Sequence, residues 1–469
     1  MIPHQLTQIV ILGGTGDLAQ KKLLPALFDL FLKQKLPTQF QIIGIARSNK
    51  THEEYQKFVA DLLQKNRPVS ENEHTKLNEF CANVFYLAGS FDTPETFENI
   101  QNMLGSMDGD APANRLFYLA VPPEQYGNIF KHLHDSGVTT MVSGETWARI
   151  LVEKPFGKDI HTAQALEQEL SSRYKEEQIF RIDHYLAKEA VQNILSFRFA
   201  NMLLRSPWNK DHIASVDITM FETIDVGARS GFYEGVGALR DVGQNHLLQL
   251  LALIAMDEPE NFSAESIRTK RIQVLNALRP LPTENLTTHI LRAQYDGYRE
   301  DKNIPNDSQT ETYFELKVFV DKPEWRDVPF FIRAGKALST SEVSITIHLK
   351  DIATGLFLTE QCTTVGNVIK LTISPTQAIS ILLNAKAPGL GFGLETRELA
   401  LTCPIGDTEI KNSYEKVLYD AIVGDQTLFT TTEEVLAAWK FITPILEHWQ
   451  TVPLHTYIKG SSGPLTHIA

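Results

Sequence analysis

An α/β domain built on a doubly wound parallel sheet, followed by an α+β domain with a large, mostly antiparallel sheet, is the fold class this sequence predicts. Three observations predict it. Over the first 180 residues, short apolar runs alternate with helix-length amphipathic segments, the rhythm of strand–helix–strand units. A glycine turn follows the first of those runs. Further on the period drops to strict alternation in several successive runs, the pattern of an antiparallel sheet with one buried face. At 469 residues the chain exceeds what one core usually organises, so the expected domains are 1–180 and 181–469.

In chain order, residues 8–12 read as the first strand, and 18–32 carry apolar residues at helical spacing. Residues 40–45 read as the next strand and 52–64 as a helix. Strands follow at 84–87, 115–121 and 149–153, with a helix over 123–134. In the second region Phe314, Leu316, Val318 and Val320 alternate with Tyr313, Glu315, Lys317 and Phe319. Ile345, Ile347 and Leu349 repeat the pattern, as do Ile369, Leu371 and Ile373. Helices are expected over 186–201, 237–256, 409–423 and 433–449. Thr431 with Glu434 three residues on has the form of a capping box for the last. The tail from Lys459, rich in glycine and serine, is expected to be loosely held.

Composition bounds the function. The 44 Lys and Arg against 57 Asp and Glu leave a formal charge of −13. That balance argues against nucleic acid or an anionic membrane as partner. An anionic substrate therefore needs a local basic pocket. Cys81, Cys362 and Cys403 are scattered, with no metal spacing, and fit a reducing cytoplasm. No metal site is expected. The N-terminus lacks a signal pattern, and the longest apolar stretch, around Leu247 to Met256, is too short to span a bilayer.

The turn is Gly13-Gly14-Thr15-Gly16-Asp17-Leu18, between a strand and a helix start. Glycines let a backbone approach a pyrophosphate, and the helix N-terminus offers free N–H groups, so this is a Rossmann-like dinucleotide site. The end of the second strand selects the dinucleotide. A preference for NAD usually places an acid there, whereas this chain has Arg47 and Ser48 and no acid until Glu53. An arginine and a hydroxyl suit a 2′-phosphate, so NADP is the expected cofactor, with NAD a weaker alternative.

Three further segments carry chemistry. Arg181-Ile-Asp183-His184-Tyr185-Leu-Ala-Lys188 follows an apolar pair and concentrates cations, an acid and a phenol within eight residues. If Arg181 to Tyr185 is extended, Asp183 and His184 point to opposite sides and can do different jobs. His184 and Lys188 then grip a ligand anion. His246 lies on a helix among Arg240, Asp241, Gln244 and Asn245, an unusually polar entry to an apolar helix. Hydride transfer from an alcohol needs a base for the hydroxyl proton, and histidine is the commonest choice, with Asp183 an orienting carboxylate. In Glu153-Lys154-Pro155, Lys154 ends a sheet strand on the side where ligands bind, and a cis Pro155 is a device for aiming it.

Together these segments resemble the glucose-6-phosphate dehydrogenase family along nearly the whole chain. The marks are GGTGDLAQKKLLPAL from Gly13, VEKPFG from Val152, RIDHYLAKEAVQNIL from Arg181, GALRDVGQNHLLQ from Gly237, VPFFIRAGK from Val328 and YDAIVGDQTLF from Tyr419. The resemblance implies a Rossmann domain followed by an α+β domain, assembled through the large sheet as a homodimer or homotetramer. It implies oxidation of glucose 6-phosphate at C1 to the 6-phospho-lactone with reduction of NADP, the first step of the oxidative pentose phosphate pathway. On this chain it implies His246 as general base and Asp183 as its orienting acid. His184, Tyr185 and Lys188 would hold the phosphate. Lys154, Glu222, Asp241 and Lys336 would contact the sugar, and Arg47 the 2′-phosphate.

Three positions depart from the family's pattern. Ala187 stands where glycine is usual. Ser341 stands in a run that usually carries a basic residue about five positions after the lysine matching Lys336. The tail has Ser462 near where a tryptophan is usual. Loss of the basic residue predicts weaker phosphate binding unless Lys350 folds into the gap. Two other readings are a sugar dehydrogenase with the same EKP motif acting on a different sugar, and a non-catalytic metabolite binder. His184 and Lys188 favour a phosphate, and a binder needs neither a base nor its orienting acid.

Overall fold

The structure, a computed structural model, describes residues 5–66, 71–109, 111–141, 146–351, 366–391, 393–402, 412–465 and 468. The chain forms two compact units. The first comprises Met1–Gly157, His161–Ala187 and Thr408–Thr432, and the second Lys158–Ile160, Lys188–Asp407 and Glu433–Ala469. The division expected at residue 180 thus falls within the first unit, whose loop runs on to Ala187. The first unit also takes back a segment from near the C-terminus.

Strands β1 (Thr7–Leu12), β2 (Phe40–Ala46), β3 (Val84–Ala88), β4 (Asn114–Leu119), β5 (Ala148–Val152) and β6 (Ile179–Ile182) build the sheet of the first unit. Its order is β6-β5-β4-β1-β2-β3, with Phe429–Thr430 beyond β6. All pairs are parallel except that last one. Ile9 faces Ile42 on one side and Leu116 on the other, so strand order reverses at β1. Every residue of β1 is buried, because a parallel sheet is covered on both faces. The helix expected over 18–32 forms as a π-wound start, Ala19–Leu23, running into Leu24–Leu32. Helices Glu71–Cys81, Pro94–Met107 and Ile160–Ser171 add to those expected from the sequence. The helix expected over 409–423 is seen as Ser413–Val423, and its Val417, Leu418, Ala421 and Ile422 join the core with Leu24, Leu27 and Phe28. That apolar face is why the returning segment belongs here.

Among the described residues the sheet of the second unit has nine strands. In chain order they are β7 (Ile213–Phe221), β8 (Ile290–Tyr295), β9 (Tyr313–Val318), β10 (Phe330–Gly335), β11 (Glu342–Leu349), β12 (Val368–Ser374), β13 (Ala378–Lys386), β14 (Leu394–Thr402) and then Leu454–Tyr457. The order is β14-β13-β12-β11-β7-β10-β9-β8, ending on Leu454–Tyr457. Pairing is antiparallel except between β7 and β10 and between β8 and Leu454–Tyr457. The alternating apolar positions share one face, with Ile218 opposite Ile345 and Ile345 opposite Leu371. Helix Leu248–Ala255 is buried at every position.

Two local expectations change. Glu434 forms a buried ion pair with Arg271 at 2.8 Å, so its carboxylate serves the core. The tail is not loose at its beginning. Ser339 N–H donates to Ser461 O at 2.8 Å, Gly460 N–H to Ala337 O at 2.7 Å, and Lys459 pairs with Asp225. Among the described residues, no helix is long and apolar enough to cross a membrane.

Candidate active site

In the first unit the site residues gather at the carboxyl ends of the strands. Gly13 has φ +97° and donates its N–H to Ile45 O at 2.8 Å. A Cβ at Gly13 would lie 2.3 Å from Ala120 O, so the turn admits only glycine there. Tyr55 Oη–H bonds Gly14 O at 2.8 Å, and Gln20 Nε2–H bonds Thr15 O at 2.7 Å, which fix the turn through two of its carbonyls. Gly16 N–H closes the turn onto Gly13 O at 2.8 Å. Leu18 precedes the π-wound helix start, and Asp17 is exposed and pairs with Lys21 at 2.7 Å. Arg47 and Ser48 follow β2 and are exposed. The Ser48 hydroxyl lies 2.9 Å from Tyr86 Oη, while Arg47 has no bonded partner among the described residues. This cradle fits a dinucleotide, and the Arg47 guanidinium stands at the end of the second strand.

The strand β5 delivers Glu153 and Lys154, and the Lys154–Pro155 bond is cis. Tyr118 Oη–H donates to the Glu153 carboxylate at 2.5 Å and Tyr126 Oη–H to Glu153 O at 3.0 Å. Burial pushes the Glu153 carboxyl up from the usual carboxylate range, against the pull of the Tyr118 bond and of Lys154.

The Arg181–Ala187 segment differs from an extended loop. Strand β6 ends at Ile182, and Asp183 Oδ1 accepts Tyr185 N–H at 2.9 Å, turning the chain. Leu186 N–H bonds Asp183 O at 3.1 Å. Arg181 is fully buried and holds Glu167 at 2.9 Å, Glu176 at 2.9 Å and Thr432 at 2.7 Å. It is a structural cation and unavailable to a ligand, whereas His184 and Tyr185 are half-exposed, their rings 5.0 Å apart. Ala187 is buried in the core of the unit. Among the described residues other than glycine, only Gln34, Asp327 and Ala337 have positive φ, so the methyl at 187 brings no backbone strain.

In the second unit, Lys188 precedes helix Glu189–Phe199, and its carbonyl accepts Val191 N–H at 2.9 Å. The parallel pair β7 and β10 aligns Phe221 with Gly335. The next residues, Glu222 and Lys336, therefore emerge side by side and form an ion pair. Asp241 Oδ2 lies 3.9 Å from Lys336 Nζ, and the Tyr233 ring centroid 5.6 Å from it. Lys336 is held from behind by its N–H on Thr312 O at 3.0 Å and by Tyr457 Oη–H on its carbonyl at 2.6 Å. A sugar ring presents hydroxyls, and two carboxylates around one ammonium offer both acceptors and a donor.

His246 is buried, on a stretch wound as a π-helix and not as the α-helix expected. Leu239–Leu247 is a π-helix, with Leu248 N–H reaching back to Gly243 O. In an α-helix residues five apart sit about 140° from one another, since each adds about 100°. The wider π-turn brings them onto one face, so Asp241 and His246 share a side. Asn245 stabilises the turn through its Nδ2–H on Asp241 O at 3.0 Å. Lys350 does not fill the gap at Ser341. The eight residues of β11 separate them, roughly 27 Å of strand, and Lys370 near Glu342 is already paired with it at 2.8 Å. Among the described residues no cluster of three or more His, Cys, Asp or Glu could hold a metal ion.

Comparison with known proteins agrees along the whole chain. Residues 10–193 match the model of the glucose-6-phosphate dehydrogenase NAD-binding domain, and 195–468 that of its C-terminal domain. A glucose-6-phosphate 1-dehydrogenase of Chlamydia muridarum is 36% identical over 476 residues, covering 97% of this chain and 93% of that protein. One from Aspergillus niger is 37% identical, covering 98% and 90%. A solved glucose-6-phosphate dehydrogenase in complex with its substrate glucose-6-phosphate superposes with a TM-score of 0.91 at 34% identity, covering 99% of this chain and 96% of that one.

Proposed function

The chain belongs to the glucose-6-phosphate dehydrogenase family, and from that premise we propose how its residues divide the work. The enzyme is an oxidoreductase that oxidises glucose 6-phosphate at C1 to 6-phospho-glucono-1,5-lactone with a nicotinamide cofactor. Identity of 36% across the full length favours this over a different sugar substrate for the same motif.

The cofactor we infer is NADP, held by Gly13, Gly14, Thr15, Gly16, Asp17, Leu18, Arg47, Ser48 and Lys154. When bound, it supplies the acceptor for the hydride. His246 takes the C1 hydroxyl proton, and Asp183 orients the imidazole and balances the charge it gains. His184, Tyr185 and Lys188 hold the phosphate, while Lys154, Glu222, Asp241 and Lys336 hold the sugar hydroxyls. The Glu222–Lys336–Asp241 grouping beside the π-turn that carries His246 is the observation that supports these roles most. We further infer a cytoplasmic homodimer or homotetramer at the entry of the oxidative pentose phosphate pathway. Leu399 and Leu401, about 60% exposed on the outer strand β14, favour a partner surface there.

Initial rates with glucose and glucose 6-phosphate, each crossed with NAD and NADP, test the reading. It expects reduced nicotinamide from glucose 6-phosphate with NADP preferred. Equal rates with glucose, or a preference for NAD, would contradict it.

A further inference from the structure

Glu311 lies in no motif, yet it is 3% exposed and bonds the opening of the π-turn on one side and Trp449 on the other. Its Oε1 accepts Leu239 N–H at 2.9 Å and its Oε2 accepts Trp449 Nε1–H at 3.0 Å. Its main-chain oxygen accepts Ala238 N–H at 3.1 Å and Tyr233 Oη–H at 3.3 Å. Ala238 and Leu239 open the π-turn that carries Asp241 and His246. A helix start leaves N–H groups without partners, and a carboxylate there meets both those groups and the positive dipole end. Gly237 enters with φ +74°, and a Cβ on it would fall 2.5 Å from Glu311 Oε1. Glycine at 237 and glutamate at 311 are therefore one device.

The next residue extends the device. Thr312 O accepts Lys336 N–H, so two consecutive residues before β9 anchor the base-bearing turn and the sugar-binding lysine. Burying a carboxylate is costly unless it is fully bonded, and Glu311 meets that cost with donors from two separate parts of the unit.

We propose that Glu311 is a positioning residue for proton transfer: it fixes the entry angle of Leu239–Leu247 and thereby the direction of His246 and Asp241. This rests on the roles given to those two residues above. A displacement near 1 Å at a reacting group can cost about 100-fold in rate, so loss of the anchor is expected in kcat.

The test uses Glu311→Gln, whose amide must present a donor to one of two donors, and Trp449→Phe, which removes one N–H and keeps a ring. Turnover is measured per bound dinucleotide, so that unfolded enzyme is not counted, using glucose 6-phosphate carrying protium or deuterium at C1. We expect Glu311→Gln to lower kcat per site roughly 10- to 100-fold, with dinucleotide affinity unchanged and the deuterium effect retained or increased. Trp449→Phe should lose less, and the double variant no more than Glu311→Gln alone. Wild-type turnover per site, a shrunken isotope effect or additive losses would overturn the proposal. His246→Asn run alongside separates the two claims: normal turnover there sinks the base assignment, whereas normal turnover in Glu311→Gln sinks only the positioning role.

Discussion

The glycine turn of the first unit and the π-turn of the second do comparable work by different means. Both begin a helix with π winding, Ala19–Leu23 in one case and Leu239–Leu247 in the other. The glycine turn is specified locally, because Gly13 must have positive φ and no Cβ, and that demand is written in the residue itself. The π-turn is specified from afar, by Glu311 and Trp449, whose positions carry no mark of their purpose. A local backbone requirement can be read in sequence, while one met by distant side chains cannot.

The largest effect should fall on the π-turn. His246→Asn is expected to lower kcat by roughly 10²–10⁴-fold, the usual contribution of a placed base, with KM little changed. Asp183→Asn should damage the same parameter. Steady-state rates check both, and near-normal kcat in His246→Asn would remove the contrast between a chemical and a cofactor-binding region.

On the glycine-turn side, Arg47→Ala removes a charged bond worth about 1.5–3 kcal/mol. It should raise KM for NADP roughly 10- to 100-fold and leave NAD almost untouched. Equal losses with both dinucleotides would make Arg47 structural.

These two variants also mark how far the sequence could be read. The strands and the position of the glycine turn were legible because their periods and residues are local. The return of Ser413–Val423 to the first unit was not, since its apolar face shows no preference for one core over another. The burial of Arg181 was not legible, since it depends on Thr432, which lies 251 residues along the chain, as well as on Glu167 and Glu176. The pairing of Glu222 with Lys336 depends on β7 running parallel to β10, a topological fact that no spacing encodes.

A smaller effect concerns Ser341, which is exposed on the loop after Lys336. One charged hydrogen bond to phosphate is worth about 1.5–3 kcal/mol, so Ser341→Lys should lower KM for glucose 6-phosphate about tenfold or more. No change from a low wild-type KM would show the phosphate pocket complete without it.

The smallest effect is on stability and separates the core from both turns. Burial pushes the Asp420 carboxyl up to about 6 from 3.8, despite its pairing with Lys416. Its Oδ2 lacks a hydrogen-bond partner among the described residues. The folded state therefore favours the protonated acid. Its contribution is full below about pH 4 and is lost as pH rises toward 6, at most about 3 kcal/mol. Asp420→Asn should flatten the stability profile in that window and raise Tm at neutral pH. A profile that keeps its wild-type slope there would assign the pH dependence to other groups.

The reaction is hydride transfer from C1 of glucose 6-phosphate to a nicotinamide. It is tested most directly by supplying the sugar phosphate deuterated at C1 and measuring the mass of the reduced dinucleotide. One deuterium is expected in every reduced dinucleotide formed, and none at C1 of the product. Reduced dinucleotide without deuterium would contradict it.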